Sequence, residues 1–432
     1  MFKVLNPFLK QCTLKKLNYN NYQKFNIRTF LSQAYYCHEI WEHRLNNPVL
    51  QKVNLEELYY ELDQRYQKTQ QISAVDVDIF ANAITNESYV DEVLDLVHKL
   101  RLSADTGNML NSTSHAVIRA LTQCGKKEDL LNALDDRLNY GLFLDFYTTN
   151  LLLDIYWKNK DFTSGARVAS QLMLQEEFDH PLSNSLSLLH CYNYLFGPKD
   201  WPQYPKPEEP EEEVKIRVKY IRNPYDDDHF DLRDPNKIVG KTLAMFTNSK
   251  NDPLNKSLNI LGLVLYNKQN LVKEVIKECT TKNLVLYKEI IDLIPENYES
   301  KEEVKSLNTK SADIQNLLKT NVENSVQEMS EGDIAKQCKT YSEWEANRIN
   351  ALEEQRKRRL TAKRLADVED LKAALKEKET KLWFFDNEEQ IELDIETKRV
   401  YYPKRWFGKM KTAKNIDEDY VPPEVHAKQT NI

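Results

Sequence analysis

Few residue groups in this 432-residue chain could do chemistry, and most fail on spacing. Gly240-Lys241-Thr242 has the ending of a phosphate-cradling loop. Such a loop needs a glycine five residues before Gly240 so that backbone N–H groups can wrap a phosphate, and Pro235 stands there. Asp226-Asp227-Asp228 lacks the alternating spacing and turn glycine of a calcium loop and reads as a solvated acidic turn. Cys37, His38 and His43 offer three metal-capable side chains, but no further ligand pair lies nearby, so packing is the expected role. The cysteines at 12, 37, 124, 191, 279 and 338 form no close pair. They predict neither a zinc site nor a disulfide framework, and read as reduced thiols of a non-secretory compartment. Nothing resembles a nucleophile elbow or a zinc-protease helix. No enzyme activity, metal, cofactor or small-molecule substrate is expected.

Two basic clusters carry the remaining chemistry. QRKRRLTAKR, residues 355 to 364, holds Arg356, Lys357, Arg358, Arg359, Lys363 and Arg364. On a helix Arg356, Arg359 and Lys363 share one stripe and could straddle phosphates. KRVYYPKRWFGKMKTAK, residues 398 to 414, contains Lys404, Arg405 and Lys409 among aromatics and no acid. Cations pair with phosphates there, while aromatic rings stack on unpaired bases or fill pockets on a protein partner. A charge run is often no more than a solvated face, and Glu353 and Glu354 stand beside the first cluster. The second has no compensating acid within it, so RNA or partner contact is the expected role. With 60 basic and 67 acidic residues, the chain as a whole does not suit coating nucleic acid, so contact must be local.

The elements that position these residues are predicted to be helices. Nine glycines stand where average usage gives about thirty. That excludes a fold rich in tight turns and glycine loops, which depend on positive φ. From Met1 to His38 there are six bases and no acid, a basic, hydroxyl- and amide-rich composition typical of a mitochondrial presequence. Residues 1–30 are assigned to it, with Arg28-Thr29-Phe30 as the processing signal and maturation before Leu31. A basic RNA-binding arm is the alternative. No run of 18 apolar residues occurs elsewhere, so no membrane association is expected.

Residues 31–196 read as helix hairpins. Val90, Val93, Leu94, Val97 and Leu100 make an apolar stripe at helical spacing. Residues 112–145 and 147–180 repeat at an offset of 35, with Thr113 on Thr148, Ile118 on Leu153 and Leu131 on Ala166. Weaker copies begin near Val75 and Ser183. Such units stack because no single hairpin can bury its apolar face. A proline-rich and then acidic linker is expected at 197–237, with VKIRVKY at 214–220 as one short strand. A second helical region follows at 238–295 and a polar linker at 296–335. One long helix is expected within 336–385, supported by i,i+4 pairs such as Glu377 with Lys381. Val368, Leu371, Leu375 and Leu382 form an apolar seam on it suited to a partner helix. An aromatic-basic tail closes the chain at 386–432. The fold class is all-α, an α-solenoid followed by further helices.

Asp145, Thr148, Asn150, Leu152, Leu153, Tyr156, Lys158, Gly165-Ala166 and Met173 follow the pentatricopeptide-repeat pattern. FLSQAYYCHEIWEHR (30 to 44), NYGLFLDFYTTNLLLD (139 to 154) and QLMLQEEFDHPLSNSLSLLHC (171 to 191) resemble, in order and spacing, the mitochondrial small-subunit ribosomal protein twenty-seven family. The likeness is good over residues 30 to 195 and poorer over 197–335; the tail beyond Lys381 has no clear counterpart. The resemblance implies a non-catalytic component of the mitochondrial ribosome that contacts small-subunit ribosomal RNA and neighbouring ribosomal proteins. It also places His115 and Asn150 at the base-facing position of their helices, with Asp145 and His180 at the repeat ends. The alternatives are a free mitochondrial RNA-binding factor acting on a transcript or transfer RNA, and a helical adaptor that binds only protein.

Overall fold

The structure is a computed structural model describing residues 29–202, 232–248, 250–295 and 308–398. The expected presequence up to Arg28, the strand expected at 214–220 and the tail bearing Lys404, Arg405 and Lys409 lie outside the described residues. The fold is all-α: among the described residues, the only strands are a parallel pair two residues long, β1 (Leu286–Tyr287) on β2 (Thr309–Lys310). The chain divides into two units, one ending at Gln355 and the other beginning at Arg356.

In the first unit, α1 (His38–His43), α2 (Pro48–Gln51) and α3 (Leu55–Thr69) lead into a run of hairpins. These are α4 (Ala74–Ala83) with α5 (Val90–Leu102), α6 (Asn111–Gln123) with α7 (Lys127–Asp135), and α8 (Phe146–Lys158) with α9 (Phe162–Gln175). The next helix is α10 (Pro181–Tyr194). The starts of α6, α8 and α10 are 35 residues apart, as are those of α7 and α9, so the sequence repeat is a structural repeat. Its punctuation repeats too. Asp145 and Thr148 form a reciprocal cap on α8, and His180 caps the Ser183 N–H of α10, where Pro181 pre-sets the first turn. The turn after each first helix closes with the same six-residue bond, Lys126 N–H to Leu121 C=O at 3.0 Å and Asp161 N–H to Tyr156 C=O at 2.9 Å. Both turns need a left-handed residue: Gly125 has φ 72°, and Lys160 at the equivalent place has φ 55°.

The unit continues with α11 (Pro235–Thr247), α12 (Pro253–Leu265), α13 (Gln269–Thr281) and the short α14 (Lys288–Asp292). Gly240 lies inside α11, where it meets Gly262 of α12. A Cβ on Gly240 would come within 2.8 Å of the Gly262 carbonyl, and one on Gly262 within 2.6 Å of the Gly240 carbonyl. The glycine before Lys241 is thus a helix-crossing glycine. Lys241 itself is buried, with its ammonium donating to Tyr266 Oη at 3.1 Å.

α15 (Ile314–Asp386) corrects the expected boundaries. The sequence places a polar linker at 296–335 and starts the helix after it. Helix in fact starts at Ile314, and Ile314, Leu318 and Val322 are buried in the one core cluster that runs from Leu31 through the hairpins. In the second unit, α15 is exposed at every residue from Arg356 to Asp386, and α16 (Glu388–Thr397) follows.

Candidate binding groove of the helix repeats

The fifth residue of each first helix faces the same way in every repeat because the repeats share one register. Those residues are Asp78 in α4, His115 in α6, Asn150 in α8 and Ser185 in α10. Each of them meets the first-unit part of α15, directly or through one side chain. Asp78 Oδ2 accepts from Arg348 Nε at 2.6 Å. His115 Nε2 lies 3.0 Å from Tyr341 Oη. Asn150 Nδ2 donates to Tyr35 Oη at 2.9 Å, and Tyr35 donates to Asp333 Oδ2 at 2.8 Å. Ser185 Oγ is 3.0 Å from Ser325 Oγ. The matching residues on α15 are 348, 341, 333 and 325, steps of seven or eight residues. Two turns of α-helix advance about 11 Å, so one straight helix keeps pace with the stacked hairpins and runs opposite to their order.

Asp78, His115 and Asn150 make theirs in buried surroundings, while Ser185 and Ser325 are half-buried. Asp78 is 0% exposed, and its Oδ1 also accepts the Ser112 and Thr113 hydroxyls at 2.5 and 2.8 Å. Arg348 is 4% exposed, so the pair is a desolvated ion pair whose carboxylate is bonded at both oxygens. His115 sits among the rings of Trp41, Tyr147, Tyr341 and Trp344. Burial, opposed in part by Asp145, lowers its pKa and favours the neutral imidazole. Arg119 donates to the same Tyr341 hydroxyl at 2.7 Å and to the Tyr36 carbonyl. His180 stacks on Phe146 and holds Asp333 Oδ1 at 3.1 Å. Gln355, the last residue of the unit, donates to Ser73 Oγ at 2.8 Å. Between α6, α8 and α15 a cleft of about 530 Å³ remains, edged by Arg101, Asp145 and Lys336.

The sequence-predicted residues divide accordingly. His115 and Asn150 do occupy the inward-facing repeat position, where they are buried and bonded to protein. Arg356, Lys357, Arg358, Arg359, Lys363 and Arg364 are exposed on the second unit's stretch of α15. Cys37 is buried, and His38 stacks on Tyr36 with a centroid distance of 5.5 Å. Sequence reasoning missed Asp78, Ser185, Asp333, Tyr341 and Arg348. Ser185 could have been found by counting, since it stands 35 residues after Asn150; Asp78 stands 37 before His115 and falls outside that offset.

The opening segment that carried the family likeness belongs to the same framework. The Tyr147 hydroxyl donates to the Tyr35 carbonyl at 2.7 Å, and Trp41 is buried against His115. Its residues are therefore fixed by the groove they help to line. One family pattern, described as mitochondrial 28S ribosomal protein S27, matches residues 4–374. The match takes in the hairpins, the region 197–335 that resembled the family less well, and α15 past the basic cluster. Among the described residues, no helix is long and apolar enough to cross a membrane. A match over most of the length fixes the setting as the mitochondrion and the small ribosomal subunit, and the chain belongs to the mitochondrial 28S ribosomal protein S27 family.

Proposed function

We propose that the protein is a structural constituent of the mitochondrial small subunit that grips ribosomal RNA with the basic stretch of α15, while its repeats serve to hold that helix. The observation that carries this reading is the ladder of Asp78, His115, Asn150 and Ser185, all engaged by one helix of the same chain. A repeat surface whose inward-facing side chains are already engaged in this way offers none of those four to an unpaired base, which weighs against a free factor that selects a transcript through its repeats. The exposed cations from Arg356 to Arg364 are suited instead to phosphates, which position a protein on RNA without reading sequence. Exposed Leu371, Leu375 and Leu382, each more than 60% accessible, favour an additional protein neighbour along the same helix.

Sedimentation of mitochondrial lysate with and without ribonuclease tests the setting: the chain should travel with the small subunit and leave that position when the particle is digested. A free or small RNA-dependent complex would support the transcript-binding alternative. Replacing the six cations from Arg356 to Arg364 with glutamine should weaken association and flatten its salt dependence, by about 0.7–0.9 in log–log slope for every phosphate the helix ceases to neutralise. An unchanged salt slope would favour the protein-only adaptor.

A further inference from the structure

Asp154 is a buried carboxylate that the groove does not use. It lies on α8 one turn beyond Asn150 and is 0% exposed. Its Oδ2 accepts the Tyr36 hydroxyl at 2.6 Å. Its Oδ1 accepts two backbone N–H groups, Phe30 at 3.0 Å and Leu31 at 3.3 Å. The cation beside it, Lys158, is 3.7 Å away, partly exposed, and also engaged with the hydroxyl and ring of Tyr36. The Phe30 ring packs on Trp157 at 5.1 Å and Leu31 is 1% exposed, so the backbone is fixed over the carboxylate. A buried carboxylate calls for a close cation. Here the two nearest backbone nitrogens flank the bond at which the sequence predicts processing.

We propose that Asp154 is the receptor for the α-ammonium created when an endopeptidase hydrolyses the Phe30–Leu31 bond. Water adds its hydroxyl to the Phe30 carbonyl carbon and a hydrogen to the Leu31 nitrogen. The acid proton then passes to the amine, giving a carboxylate on the released segment and an ammonium on Leu31. That ammonium forms where the Leu31 amide already meets Oδ1, replacing a neutral donor with a buried ion pair. Processing thereby fastens the opening segment, with Tyr35 and Tyr36, onto α8. This inference does not depend on how the protein contacts RNA.

The test uses the chain from Leu31 to Ile432 with its α-amine either free or acetylated, since acetylation keeps an N–H but removes the charge. Thermal melting of the free form should lie about 2–4 °C above the capped form, and Asp154→Asn should erase that difference. Equal melting of free and capped wild-type chains overturns the proposal, as does a difference that persists in Asp154→Asn. Should Asp154→Asn not fold, the first residue of the protein isolated from mitochondria decides. Leu31 supports the proposal; any other first residue, Phe30 included, overturns it.

Discussion

α15 contains two stretches of similar charge-rich sequence that do opposite things. Up to Gln355 one stripe of its polar side chains points into protein: Arg348 is 4% exposed on Asp78, and Asp333 bridges Tyr35 and His180. From Arg356 to Asp386 every residue is exposed, including six cations in nine positions. An arginine in the first stretch is a structural fixture with one partner at one distance. An arginine in the second stands at the solvent-facing surface, where an outside anion can reach it. Residue type is shared, and desolvation separates the roles, since a buried charge left alone is costly while an exposed one is almost indifferent to its neighbours.

Substitutions can break that contrast at graded cost. Arg348→Ala, which strands the buried Asp78 carboxylate, should destabilise the chain by about 3–5 kcal/mol, seen as a lower urea midpoint. Arg358→Ala should stay within about 0.5 kcal/mol, and equal destabilisation at the two sites would abolish the distinction. Next comes pH. Burial lowers the pKa of His190 to about 4, and its Nε2 bonds the Leu153 carbonyl at 2.9 Å. The unfolded chain takes up that proton near pH 6.5. The contribution is therefore present above about pH 6.5 and lost as pH falls toward 4, for a total of about 3 kcal/mol. The buried His115 shifts in the same direction. Thermal melts across that range should steepen with acid, and His190→Leu should remove about one proton from the slope.

Smaller effects sharpen the comparison. Tyr341→Phe leaves Arg119 and His115 without their shared hydroxyl and should cost about 1–3 kcal/mol in chemical denaturation. At the equivalent turns, Gly125→Ala should destabilise and Lys160→Gly stabilise, each by about 1 kcal/mol. Replacing all six cations from Arg356 to Arg364 should leave the melting temperature of the first unit nearly unmoved while changing association with the ribosome.

Much of the hairpin region was legible because its signals are local. Helix starts, caps and the 35-residue offset depend on Asp145, Thr148, Pro181 and apolar stripes a few residues apart. The helix start at Ile314 was not legible. Its contact stripe mixes Ile314, Leu318 and Val322 with Asp333, Gln337, Tyr341 and Arg348, and Gly332 interrupts it, so apolar periodicity fades where the helix meets polar partners. His115 and Asn150 were legible as inward-facing but not as occupied. What fills the groove lies far along the chain, Tyr341 being 226 residues beyond His115 and Asp333 298 beyond Tyr35, out of reach of any local pattern. Gly240 shows the reverse error a motif can invite: a short phosphate-loop fragment marks the crossing of two helices.

The steps of seven and eight residues along α15 turn length itself into a constraint. Each residue of an α-helix adds about 100° of rotation. One residue inserted between Ser325 and Tyr341 would leave one end of the ladder facing its partners and swing the other end a quarter-turn away. Individual side chains in that interval can be exchanged, at graded cost. Their number cannot, since even a whole turn added or lost restores the rotation but moves one end of the ladder about 5 Å along the axis from its partners.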